Sequence, residues 1–160
     1  MKLVVLGASG KSGQEIVKEA LKRGHQVLAV VRNPDKLQLH HDNLQVKKGD
    51  VFSTESLSDL FEGQDVVLSA LGPYVFGPFH SVSMYSETGK CIVEAMKKTS
   101  VDKFIVITSW CTEDKEVISV ESQHNPEAKT SICRADVARF MLDCAETDQY
   151  DRKCVAIGVK

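Results

Sequence analysis

Apolar residues run along the chain in two alternating rhythms. Leu3-Val4-Val5-Leu6 is a short unbroken apolar run, the pattern of a strand buried on both faces. Over residues 14–23, Ile16, Val17, Ala20 and Leu21 recur at helical spacing, and Gly24 stands where the helix should end. Residues 26–31 and 44–48 read as a second and a third strand. Ser53 is placed to cap a helix over 54–61, which Gly63 closes. Residues 65–71 form a fourth strand pattern, ended by Gly72-Pro73. The Gly, Pro and aromatic residues of 74–79 predict a loop. A helix follows over 84–98, with Cys91, Ile92, Ala95 and Met96 on its inner face, then a fifth strand over 103–108. Residues 110–130 are polar and without period, 135–145 are helical again, and 155–159 make a final strand.

Alternation of this kind predicts an α/β fold: one Rossmann-like, doubly wound parallel sheet of order 3-2-1-4-5, plus the C-terminal strand. Crossovers should be right-handed. The ligand crevice should lie between strands one and four, where the order reverses. The 160 residues suit one domain, 1–160, with an irregular segment at about 110–132.

Composition narrows the class. Hydrophobic residues make up 42% and charged residues 26%, as in an ordinary globular protein. The net charge of −2, with no long like-charged run, gives no footing for nucleic acid or an anionic membrane as partner. The expected partner is a small molecule, and the expected state a monomer. The five cysteines form no C-x-x-C pair and read as reduced thiols, with no metal expected. No signal peptide pattern or membrane-length apolar stretch is seen, so the cytoplasm is the expected compartment.

The chemistry is concentrated between the first strand and the first helix. Gly7, Gly10 and Gly13 are spaced G-x-x-G-x-x-G. One glycine permits a tight turn, one lets the backbone approach a pyrophosphate, and one lets helix and sheet pack closely. Free N–H groups at the helix start then face the anion, and Ser9 and Ser12 add hydroxyl donors. A glycine turn kept for packing is the alternative. A P-loop is another, because Gly10-Lys11-Ser12 resembles its end, but that motif needs a glycine where Val5 stands.

The second strand ends in Val30-Val31-Arg32-Asn33, with no carboxylate to take a ribose 2′-OH. Arg32 offers a planar cation to a 2′-phosphate, and Lys36 a second charge, while Pro34 turns Asp35 aside. This favours NADPH over NADH, against the alternative that Arg32 is a solvated rim charge. Asp50 and Val51, after the third strand, suit the adenine edge, although Asp50 suits a helix cap equally well. Leu71-Gly72 ends the fourth strand, near a nicotinamide ribose.

Several segments resemble one family. They are Val5-Leu6-Gly7-Ala8-Ser9-Gly10, Val31-Arg32, Lys48-Gly49-Asp50-Val51, Val101-Asp102-Lys103-Phe104, the helix from Ser86 to Met96, and Asp136 to Cys144 with Thr147 to Asp151. They resemble the NADPH-dependent flavin reductases, or biliverdin-IXβ reductases, atypical short-chain dehydrogenase/reductases of the NmrA-like type. The resemblance implies NADPH held by Gly7, Ser9, Gly10, Ser12, Gly13, Arg32, Lys36, Asp50, Val51, Leu71 and Gly72, and Lys11, within the same turn, is a further candidate to bind the cofactor. It implies Ser109 beside the nicotinamide as the catalytic position. It implies hydride transfer to a flavin (FMN, riboflavin) or a biliverdin-type tetrapyrrole. The alternatives are an NADP(H)-binding regulatory module without catalysis, and an inactive truncated isoform.

The chain departs from that family after the fifth strand. No Pro-Pro-His occurs, and 110–134 holds no convincing strand, as though some tens of residues were missing. His124 reads as a loop histidine and Cys111 as a structural thiol. No Tyr-x-x-x-Lys pair exists either: Tyr74, Tyr85 and Tyr150 are followed four residues on by Pro78, Gly89 and Cys154. Tyr74, Phe76 and Phe79 suit either stacking on a planar substrate or closing the sheet end. The flank of the fifth strand is expected to be open, with the final strand able to cover it.

Overall fold

The computed structural model describes residues 1–72, 83–108, 116–119 and 132–158. The apolar runs become β1 (Lys2–Leu6), β2 (Gln26–Val31), β3 (Leu44–Lys48), β4 (Val66–Ser69) and β5 (Lys103–Val106). They pair in parallel, in the order β3-β2-β1-β4-β5. Four helices are described: α1 (Lys11–Lys22), α2 (Thr54–Phe61), α3 (Met84–Thr99) and α4 (Arg134–Glu146).

Both faces of the sheet are covered, which is why its central strands have no polar alternation. Leu3 and Val5 face one layer, with Ile16, Val17 and Ala20 of α1 and Ala138, Met141 and Leu142 of α4. Val4 and Leu6 face the other, with Leu57, Leu60 and Phe61 of α2 and Ile92, Ala95 and Met96 of α3. All four of these β1 side chains are fully buried. Each such burial stabilises by roughly 1.5–3 kcal/mol, so a polar residue in β1 would be costly.

The helices on the first face are also tied by charge. Arg23, at the end of α1, donates to Glu19 (2.9 Å), to Asp143 (2.8 Å) and Glu146 (2.9 Å) of α4, and to the Arg139 carbonyl (3.2 Å). Lys103 of β5 holds the far end of α4, donating to the Thr147 carbonyl and to Asp148, both at 2.8 Å.

Three expectations are corrected. Helix α1 starts at Lys11, inside the glycine motif, because its polar opening turn carries no apolar period. The segment 110–132 does contain a strand, β6 (Glu116–Ser119). Only Val117 and Ile118 are apolar there, too few to register as a pattern. The final strand, β7 (Val155–Gly158), does not cover β5. It pairs in parallel with β6 in a separate two-stranded sheet, from Glu116↔Val155 to Ser119↔Gly158. The backbone groups of β7 thus find their partner in β6, and among the described residues β5 is the last strand of the main sheet.

Candidate functional site

Strand register decides which residues meet. Leu6 lies opposite Val30 of β2 and Ser69 of β4; Val31 lies opposite Lys48, and Ser69 opposite Val106. The chain therefore leaves all five strands along one sheet edge, through Gly7, Arg32, Gly49, Ala70 and Ile107. The order reverses at β1, so the connections after β1 and β4 diverge and leave a crevice there.

The three motif glycines are not equivalent. Gly7 has φ +75°, and a Cβ there would stand 2.9 Å from the Ala70 carbonyl oxygen. A Cβ on Gly13 would stand 2.2 Å from the Gly7 oxygen and 2.8 Å from Ala8 Cα. Both glycines are demanded by the fold itself. Gly10 has ordinary extended angles, φ −76° and ψ 162°. A Cβ there would meet only the Gly7 oxygen, at 3.3 Å. Packing does not need this glycine, and its bareness leaves the mouth of α1 open.

That mouth suits an anion. The opening N–H groups of an α-helix have no intrahelical acceptor, and the helix dipole places positive charge there. Gly10 supplies no side-chain cap, and the first turn of α1 holds Lys11 and no acidic residue. Gly10 N–H donates to the Gly7 carbonyl (3.0 Å), and Gln14 Nε2 donates to the Ser9 carbonyl (3.1 Å), so one backbone bond and one side-chain brace hold the turn. The cradle has the chemistry to take an anionic group.

Around it stand the other residues that the sequence singles out. Arg32 and Lys36 are exposed at the end of β2. Asn33 Oδ1 accepts from Asp35 N–H (3.0 Å) and fixes the short 3-10 turn Pro34–Lys36. Asp50 is not the cap of α2. That place is taken by Ser53, whose Oγ accepts from Ser56 N–H at 3.2 Å. Asp50 Oδ1 accepts from Phe52 N–H (3.0 Å) and closes the turn after β3, while Val51 is buried in the core. Leu71 is half-buried and Gly72 exposed.

Four supporting residues escape the sequence reading. A Cβ on Gly49 would stand 2.6 Å from Val30 and 2.7 Å from Leu60. Ser56 Oγ accepts from Asp50 N–H (3.1 Å). Buried Ser69 holds the start of the β4 loop through Leu71 N–H (3.5 Å), and Gln14 braces Ser9. Only the Gly-Asp step after a strand hints at any of them.

Ser109, Cys111, His124, Tyr74, Phe76 and Phe79 lie outside the described residues. Among the described residues no His, Cys, Asp or Glu cluster could hold a metal ion, and no helix is long and apolar enough to cross a membrane. Of the thiols, Cys144 is held above its ordinary pKa by burial, with Asp143 adding to the effect. It is therefore a neutral thiol near pH 7.

Comparison with known proteins gives the family. The pattern of a family described as NAD(P)H-binding matches residues 7–119. The uncharacterized protein YwnB of Bacillus subtilis is 36% identical over 107 residues, 67% of this chain and 46% of that one. The chain spans less than half the length of the curated relatives it matches. Among solved structures, a provisionally assigned NADH-flavin reductase of Streptococcus pneumoniae is 27% identical with a TM-score of 0.54, covering 89% of this chain and 63% of that one. The anaerobillin reductase ChuY of Escherichia coli O157:H7 shares the fold at 15% identity, with a TM-score of 0.70, covering 99% of this chain and 97% of that one.

Proposed function

The chain belongs to the NAD(P)H-binding family, and on that footing we propose that it is an NADPH-dependent reductase passing hydride to a flavin such as FMN or riboflavin, or to a biliverdin-type linear tetrapyrrole. The observation that carries the cofactor half is the open mouth of α1 at Gly10, beside Arg32 and Lys36 at a strand end that bears no carboxylate. In this reading Gly7, Ser9, Gly10, Lys11, Ser12 and Gly13 cradle the pyrophosphate. Arg32 and Lys36 take the 2′-phosphate, Asp50 and Val51 the adenine edge, and Leu71 and Gly72 the nicotinamide ribose. Ser109 stands beside the nicotinamide, which supplies the hydride when the cofactor is bound.

The protein's share of the work is position. Holding donor and acceptor face to face converts an encounter into an internal step. The lack of a Tyr-x-x-x-Lys pair argues against ketone reduction, which needs a tuned acid, and suits a flavin, which demands less proton donation. The similarity to the Streptococcus pneumoniae protein supports the flavin.

The test is oxidation of NADPH with FMN, riboflavin or biliverdin as acceptor. Turnover that prefers NADPH to NADH is the expected result. A folded sample that binds NADPH and turns over none of these acceptors would overturn the reductase reading. One observation favours a second reading, a module that senses NADP(H) without turnover: the chain lacks the Pro-Pro-His stretch expected beyond β5. Calorimetric binding of NADPH and NADP⁺ without oxidation would establish that reading instead.

A further inference from the structure

We propose that Tyr85 is a further cofactor-binding residue, whose hydroxyl hydrogen-bonds the paired hydroxyls of the nicotinamide ribose where the chain leaves β4. The inference deepens the NADPH reading of this crevice and rests on it.

The helix sets the position. Strands β4 and β5 are parallel, so α3 must carry the chain back between them and begins at the sheet edge by which the strands leave. The buried stripe of α3 is Thr88, Ile92, Ala95 and Met96. Tyr85 precedes Thr88 by three residues and Ile92 by seven, so it extends that stripe by one turn. Side chains of a helix lean toward its N-terminus, which here means toward the crevice. The opening turn is firmly held. Glu87 N–H (2.9 Å) and Ser86 Oγ (2.7 Å) donate to the Ser83 carbonyl, and Thr88 Oγ1 donates to the Met84 carbonyl (2.7 Å).

The phenol reaches the exit of β4. A Cβ on Gly72 would stand 3.8 Å from Tyr85 Oη. That is ordinary contact, and the Gly72 backbone is not left-handed, so neither strain nor this neighbour demands a glycine there. Gly72 resembles Gly10 in this respect. The same exit touches the glycine turn, since a Cβ on Gly7 would stand 3.2 Å from Leu71 N. The phenol, the β4 exit and the glycine turn are therefore successive neighbours along one edge. Tyr85 is half-buried, with its ring in line with the stripe and its polar tip beside Gly72. A phenol hydroxyl donates one hydrogen bond and accepts another, which matches the adjacent hydroxyls of a ribose. A phosphate only accepts, and the cations that suit it stand elsewhere, at Lys11, Arg32 and Lys36.

Calorimetry of the full chain with three ligands tests the proposal. They are NADPH, 2′-phospho-ADP-ribose, which keeps the second ribose without nicotinamide, and adenosine 2′,5′-bisphosphate, which has neither. Tyr85→Phe keeps the ring and removes only the hydroxyl. It should weaken NADPH and 2′-phospho-ADP-ribose by about twofold to tenfold, the worth of one neutral hydrogen bond. Binding of adenosine 2′,5′-bisphosphate and the melting temperature should not change. A variant that binds NADPH as the parent does would overturn the role of Tyr85 and leave the cofactor reading standing. Equal losses for all three ligands would overturn it as well, because the effect would not be local to the second ribose. A loss confined to NADPH would move the hydroxyl to the nicotinamide ring and overturn the ribose assignment. A parent that binds none of the three would overturn the cofactor reading, and this inference with it.

Discussion

Two alanine substitutions, three residues apart, should fail in opposite ways. At Gly13 the added methyl would lie 2.2 Å from the Gly7 oxygen and 2.8 Å from Ala8 Cα. Both obstacles are backbone, so no rotamer change relieves them, and α1 must lift off β1 by about an ångström to restore ordinary contact. That movement strains the packing of Ile16, Val17 and Ala20, all fully buried. Overpacking of this kind costs about 1–3 kcal/mol. The better helix propensity of alanine returns at most about 1 kcal/mol. Gly13→Ala should therefore be destabilised by roughly 1–2 kcal/mol, a fall of about 2–8 °C in melting temperature for a chain of this size. At Gly10 the backbone angles suit any residue, and the methyl meets one atom at 3.3 Å. Gly10→Ala should keep its stability within about 0.5 kcal/mol of the parent. Its methyl would nevertheless occupy the mouth of α1, and the loss of one hydrogen bond to a charged phosphate is worth about 1.5–3 kcal/mol. NADPH affinity should therefore fall about tenfold or more. Urea denaturation and calorimetry on both variants separate the two effects. A Gly10→Ala protein that binds NADPH as the parent does, or a Gly13→Ala protein of parental stability, would refute the division of roles.

Three further outcomes follow. Arg32→Ala should weaken NADPH binding about tenfold to a hundredfold while leaving NADH unchanged, from the value of a charge-assisted hydrogen bond; equal losses for both cofactors would place Arg32 elsewhere. The bond from Lys103 holds the Asp148 carboxyl below its ordinary pKa. The stability this contributes is present above the unfolded pKa of about 3.9 and is lost as pH falls through the lower folded value. NMR titration should find that depression, and Lys103→Met should abolish it. Alkylation near neutral pH should reach exposed Cys154 well before Cys144, whose thiol is held protonated by burial; mass spectrometry of the labelled peptides reads the order.

The sheet was legible in the sequence because burial on both faces leaves nothing ambiguous. An unbroken apolar run such as Leu3 to Leu6 admits few other readings at that length. The span of α2 was legible because Ser53 and Gly63 punctuate it. The start of α1 was not, since Lys11 and Ser12 carry no apolar signal and the glycine motif reads as loop until its dihedrals are seen. Strand β6 was hidden by shortness: two apolar residues among polar neighbours give no period. At the crevice, the sequence marked Gly7, Gly10 and Gly13 together, but only the geometry distinguishes the two that hold the fold from the one that leaves space. Gly49, Ser56 and Ser69 support the site through contacts distant in sequence, which no local pattern reports.

The ties at either end of α4 have a consequence for how this chain tolerates change. Ile107 N–H donates to the Ser69 carbonyl (3.0 Å), which anchors the chain where it leaves β5. Helix α4 is clamped to α1 by Arg23 and to β5 by Lys103. Both ends of the connection between β5 and α4 are thus fixed by described contacts. For a connection with fixed ends the closure entropy grows only with the logarithm of length, about 0.6 kcal/mol per doubling. A change in its length should therefore cost the main sheet little and leave the glycine turn undisturbed.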